Sequence, residues 1–78
     1  MIQKEMRLVI TFHTTTEAMA MEQACRAKHA DGRLIPVPRS ITAGCGLAWS
    51  APPQTQAKLE ELMQAEGISH QEIHLCLV

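Results

Sequence analysis

Cysteine is the residue type in this chain that is best suited to covalent chemistry, and it occurs at positions 25, 45 and 76. A disulfide framework would favour an even set of cysteines in a secreted chain. The sequence contains no C-x-x-C pair, which argues against the usual zinc sites and thioredoxin-type redox motifs. We therefore expect three reduced thiols, and the sequence predicts no metal ion or other cofactor.

Cys45 has the most suggestive surroundings, because it lies between Gly44 and Gly46 in a segment that also contains Pro38 and Arg39. Glycine removes side chains that would block approach to the sulfur and permits positive φ. A nearby cation favours the reactive thiolate, and Arg39 is the nearest permanent positive charge in sequence. Two interpretations stay open: a reactive thiol in a binding loop, or a bulged hairpin in which Cys45 is a small filler.

Alternation with a period of two predicts strands over residues 6–12, 33–37, 47–51 and 72–78. The second of these contains Pro36, which cannot donate to a ladder, so we expect this strand at a sheet edge.

Helical spacing predicts two helices between these strands. The first begins with a capping box of Thr14 and Glu17, runs to about His29 and is stopped by Asp31-Gly32. The second follows Pro52-Pro53, runs to about Glu66 and ends at Gly67. Two of the cysteines are expected to be structural, Cys25 on the inward stripe of the first helix and Cys76 on the last strand.

The predicted order of elements is β-α-β-β-α-β, within one domain over residues 1–78. Two interleaved right-handed crossovers give an α+β fold, with a four-stranded antiparallel sheet in order 4-1-3-2 and both helices on one face. This arrangement is the ferredoxin-like sandwich. It brings the Cys45 loop to the end of the sheet where the first helix starts, near His13, Thr14 and Thr15. His13 is either an orienting base for Cys45 or a solvated residue at a strand end.

Composition excludes several functional classes. The net charge is −1, no stretch is strongly basic, and Phe12 and Trp49 are the only aromatic residues, so we expect no nucleic-acid partner. No apolar run approaches ~18 residues, so we expect no membrane-spanning segment. The first residues show no apolar signal-peptide region, and a cytoplasmic location is the expectation.

The segment IPVPRSITAGCGLA, residues 35–48, resembles the signature of a family of small bacterial domains described as selenium/sulfur carrier protein-like. A second family feature is matched by Phe12-His13-Thr14-Thr15, and the resemblance covers the whole chain. It implies a carrier that holds sulfur or selenium on Cys45 as a persulfide or selenopersulfide. The implied partners are a protein that donates the atom and one that accepts it.

Three hypotheses remain at this point. The chain is a thiol-based carrier rather than an enzyme with turnover of its own, or it is a regulatory module whose loop and helix N-terminus bind a small anion. Compatible with either is a homodimer, formed through the sheet face that no helix covers and that bears Val9, Cys76 and Val78.

Overall fold

The predicted alternation of strands and helices is present in the computed structural model, which describes residues 5–39, 41 and 45–77. The elements are β1 (Met6–Thr11), α1 (Thr15–Ala27), β2 (Arg33–Pro36), β3 (Leu47–Ala51), a short 3-10 turn (Pro53–Thr55), α2 (Gln56–Glu66) and β4 (Glu72–Leu77). In the described part of the chain, neither helix is long and apolar enough to cross a membrane.

The four strands form one sheet in the order β2-β3-β1-β4, and every neighbouring pair is antiparallel. This confirms the predicted α+β, ferredoxin-like topology. β1 lies in the middle, with Val9 opposite Ser50 of β3 on one side and His74 of β4 on the other. β2 lies at an edge, as Pro36 predicted.

The core lies between the two helices and one face of the sheet. Apolar residues spaced three and four apart point from each helix toward it, and alternate strand residues meet them. Burying the apolar side chains is the main contribution to stability in a chain of this size. The buried set is Leu8, Ile10, Phe12, Ala18, Met21, Cys25, Trp49, Ala51, Leu59 and Met63.

The predicted helix starts and stops are right in three of four cases. α1 begins with the Thr14–Glu17 capping box, and α2 follows the two prolines through a 3-10 turn. Gly67 ends α2 in the left-handed conformation at φ 67°, and the Ile68 amide donates to the Met63 carbonyl at 2.8 Å.

The predicted end of α1 at about His29 is close, but Asp31-Gly32 is not the signal that stops the helix. The helix ends at Ala27, and His29 takes the left-handed position at φ 55°. The Ala30 amide then donates to the Cys25 carbonyl at 2.8 Å, which completes the same kind of motif that ends α2. A residue other than glycine, His29, therefore occupies the left-handed position after the helix, for which the prediction had chosen glycine.

The open face, which is the sheet face opposite the helices, is better covered than expected. Arg7 donates from Nε to the Ser50 hydroxyl at 2.8 Å, and His74 lies across from Val9. Val9 has no exposed surface among these neighbours. The expectation that Val9 needs a second chain to cover it is therefore wrong, and Val78 lies outside the described residues.

Gly32 is required by packing rather than by the end of a helix. It has φ 119°, and a Cβ built on it would lie 2.6 Å from the Ser50 carbonyl oxygen and would also meet the Trp49 ring. The neighbouring Asp31 carbonyl accepts a hydrogen bond from the Trp49 indole at 3.3 Å. Only glycine combines this backbone conformation with so close an approach to β3.

Gly32→Ala should therefore lower the free energy of unfolding by about 3 kcal/mol, which combines the penalty of positive φ with that of overpacking. Gly67→Ala is the matched control, because its φ is also positive but nothing lies within 4 Å of the added Cβ. The control should lose only about 1 kcal/mol. Urea unfolding of both variants would measure the difference, and equal losses would contradict the packing role.

Candidate functional site

Cys45 lies at the neck of the loop that connects β2 to β3. The Val37 amide donates to the Gly46 carbonyl at 3.0 Å and closes the loop just beyond the last β2–β3 pair, Pro36 with Leu47. Cys45 is the residue before Gly46, so its backbone lies next to this closing hydrogen bond. The sequence predicts that the cysteine lies in a loop, and in the structure a hydrogen bond joins the two described ends of that loop, Val37 and Gly46, beside the sheet.

The Cys45 side chain is half-buried and packs against the hydrophobic core. Its Sγ lies 3.5 Å from the Leu47 carbonyl oxygen, to which the thiol donates a weak hydrogen bond. Gly46 has φ 80°, and nothing lies within 4 Å of a Cβ built on it. Gly46 thus uses the positive φ that glycine permits, and Gly44 lies outside the described residues.

Pro38 and Arg39 form a turn at the end of the loop that follows β2. The Ile41 amide donates to the Pro38 carbonyl at 2.9 Å, and Arg39 stands exposed between them. In the described part of the chain, its guanidinium makes no ion pair and no hydrogen bond to Cys45.

The start of α1 lies at the same end of the sheet as this loop. Thr11 at the end of β1 is opposite Ala48 near the start of β3, so His13, Thr14 and Thr15 follow β1 on the side where Cys45 precedes β3. The structure thus brings Cys45 to the same end of the sheet as His13, Thr14 and Thr15. Direct hydrogen bonds between Cys45 and these residues are absent within the described ranges.

Glu17 also lies at this end, although it was not among the predicted site residues. One carboxylate oxygen accepts from the backbone amides of His13 at 2.9 Å and Thr14 at 3.3 Å. The Thr14 hydroxyl accepts from the Glu17 amide at 3.2 Å. The capping box predicted these contacts as a helix start. Their consequence for the site is that a carboxylate already occupies the positive end of α1.

His13 associates with this carboxylate rather than with the thiol. Its imidazole is 56% exposed, and Nδ1 lies 3.6 Å from the Glu17 carboxylate oxygen. A protonated His13 would be attracted to Glu17 and would remain accessible to solvent. The arrangement favours the solvated role over that of an orienting base for Cys45.

The other two cysteines are in environments that suppress the thiolate. Cys25 is 1% exposed in the core, and its burial raises the pKa of the thiol to about 11. Cys76 is half-buried on β4, and desolvation by burial raises its pKa as well. Since the thiolate is the nucleophile, neither position suits sulfur chemistry at neutral pH.

Comparison with known protein families shows to which family the chain belongs, which its geometry alone does not. The family model described as "Putative Se/S carrier protein-like" matches residues 7–75, a span that contains the whole β2–β3 loop and the start of α1. The chain belongs to this family. No curated protein and no solved structure matches it.

For this member of the Se/S carrier-like family, two clefts lined by described residues lie away from Cys45. One, of about 390 Å³, lies between the end of α1 and α2 and is lined by Lys28, Lys58 and Leu62, among others. Another is lined by residues of α2 and by Ile68 and His70. Within the described ranges, no cluster of side chains could hold a metal ion.

The raised pKa of Cys25 predicts a loss of stability at alkaline pH. The thiol of the unfolded chain ionises from its ordinary value of 9.0, whereas the folded thiol stays protonated up to about 11. The unfolded state therefore loses its proton first, and the stabilisation present below pH 9.0 is lost as pH rises toward 11.

The difference in unfolding free energy between the natural protein and Cys25→Ala should narrow by about 2 kcal/mol across this range. Urea unfolding at a series of pH values would measure it. The variant serves as the control, because it lacks only the titrating thiol. Parallel pH profiles would show that Cys25 does not titrate on unfolding as its burial requires.

Proposed function

We propose that this protein carries sulfur or selenium and holds the atom on Cys45 as a persulfide or selenopersulfide. The observation that supports this most directly is the contrast among the cysteines: Cys45 lies in a glycine-containing loop, whereas Cys25 and Cys76 lie in α1 and β4. Membership of the Se/S carrier-like family supports the same function independently. The protein acts between two partner proteins and has no turnover of its own.

Loading is a sulfur transfer between thiols. The Cys45 thiolate attacks the outer sulfur of a persulfide on the donor enzyme. A bond forms between Sγ and that sulfur while the S–S bond of the donor breaks, and the donor cysteine leaves as a thiolate. Delivery is the same step with Cys45 as the leaving thiolate. Neither direction requires an external oxidant or reductant.

The position of the other cysteines protects such an adduct. Cys76 is opposite Arg7 near the start of β1, whereas Cys45 precedes the strand residues that pair with the end of β1. The four residue steps of β1 from Arg7 to Thr11 separate the two cysteines along the strand by roughly 13 Å, well beyond the length of a disulfide. Cys25 is enclosed in the core. A persulfide on Cys45 therefore meets no thiol of its own chain that could displace it.

The alternative of a small-anion-binding module receives less support. It depends on the N-terminus of α1, where the Glu17 carboxylate already accepts the His13 and Thr14 amides. A second anion there would be repelled by Glu17 and would find the His13 and Thr14 amides already occupied. The proposal therefore rests on covalent chemistry at Cys45.

Incubation with cysteine and a cysteine desulfurase should add the mass of one sulfur atom to the protein. The added mass should map to Cys45, should be lost in Cys45→Ser and should be removed by a reducing thiol. Intact-protein mass spectrometry with peptide mapping would measure it. Cys76→Ser is the matched control and should load normally, since Cys76 takes no part. Loading that persists in Cys45→Ser would overturn the assignment.

Brief iodoacetamide treatment at neutral pH should label Cys45 before Cys25 and Cys76, and Arg39→Ala should slow this labelling several-fold. The reason is that Arg39 is the charged residue of the loop and contributes positive potential to it. Arg26→Ala removes an exposed charge at the other end of α1 and should leave the rate unchanged. Equal rates in the two variants would show that Arg39 does not influence the thiol.

A further inference from the structure

The two edges of the sheet differ in how well they are protected against pairing. β2 has four residues and ends in Pro36. β4 has six, contains neither proline nor lysine, and within the described chain pairs only with β1. Proteins commonly block a free edge with proline, lysine or a short strand. β4 lacks all three protections.

The side chains next to this free edge are unusually apolar. Leu75 is 57% exposed, Leu77 is 60% exposed, and Met6, which is opposite Leu77 on β1, is 52% exposed. All three share the sheet face on which the helices pack, since Leu8, opposite Leu75, is in the core. We call these three residues the β4 edge patch. It continues the core layer to the surface of the molecule.

We propose that the β4 edge binds a second copy of this chain, by antiparallel pairing of β4 with β4 across a two-fold axis. The register that buries most of the apolar surface places Leu75 opposite Leu75 of the second copy. The same register places Ile73 of each copy opposite Leu77 of the other. Residues directly opposite in an antiparallel pair share a face, so the two edge patches join into one apolar layer.

A second copy fits because β4 is complementary to itself. Its apolar residues alternate symmetrically about Leu75, and on the open face this register sets His74 opposite Cys76. No like charges oppose each other, since β4 carries one carboxylate, Glu72, and this register does not place it opposite Glu72 of the second copy. A C2 interface requires this kind of self-complementary surface. The open face fits less well, because Val9 is already buried there.

The available area predicts a dimer that depends on concentration. A six-residue strand extends about 20 Å, and the protein measures 18 Å along its shortest axis. The contact is therefore roughly 400 Å² per protomer, about half that of a standard interface. The hydrogen bonds of the new ladder add to the apolar contact. Together these features indicate association at high micromolar rather than nanomolar concentration.

Sedimentation velocity over a concentration series from low to several hundred micromolar would test this. The natural protein should shift from monomer to dimer, and Leu75→Glu should stay monomeric because the axis would bring two carboxylates together. Met19→Glu is the matched control, since Met19 is 43% exposed on α1, away from β4, and this variant should still dimerise. Circular dichroism melts should show all three folded.

A cross-link tests the register separately. Leu75→Cys should form a disulfide between the two copies under mild oxidation, because directly opposite residues have Cα atoms about 4.5–5.5 Å apart, within disulfide range. Met19→Cys should not form an equivalent link at position 19. A natural protein that stays monomeric throughout, or a dimer unaffected by Leu75→Glu and unlinked at position 75, would overturn the proposal.

Discussion

Strand β1 is the element on which the position of all the others depends, because it is buried on both faces and paired on both edges. Leu8 and Ile10 form the floor of the core, while Val9 and Thr11 are equally buried on the open face. Its register with β3 and β4 is continuous from one end to the other. A slip of one residue would move Leu8 and Ile10 out of the core and onto the open face, so this pairing is strongly specified. It also determines that the Cys45 loop and the start of α1 share one end of the sheet.

The topology could be predicted from the sequence because each element carried its own signal. The alternation in β1 and β3, the capping box of α1 and the Gly67 stop of α2 are local features that packing reinforces. The end of α1 could not be predicted in this way. Gly32 is the obvious stop signal there, but it is needed for the close approach to Trp49 and Ser50, and His29 ends the helix instead. One glycine had two possible explanations, and only the three-dimensional contact separates them.

The candidate site was predicted in part. Spacing and topology indicated that Cys45, His13, Thr14 and Thr15 lie at one end, and the strand register agrees. The capping box predicted that Glu17 accepts from the Thr14 amide, but the sequence could not show that it also accepts from the His13 amide, nor that Cys45 Sγ lies 3.5 Å from the Leu47 carbonyl oxygen. Both depend on side-chain directions that spacing does not determine. The coverage of Val9 was missed for the same reason, since it involves Arg7 reaching Ser50 on another strand.

These contacts bear on how a carrier could satisfy two opposing requirements. A carried sulfur must be kept from solvent thiols, yet a partner must reach it. Half-burial of Cys45 serves the first requirement by limiting access to Sγ, whereas the hydrogen bond to the Leu47 carbonyl belongs to the unloaded protein, since only the protonated thiol can donate it. The second requires the side chain to turn away from this carbonyl when the partner docks. Since Glu17 occupies the end of α1, the positive charge that would favour the rotated thiolate has to come from the exposed Arg39 or from the docked partner. On the proposed function, reactivity then rises on encounter with the partner and is low between encounters, which is the behaviour that a carrier requires.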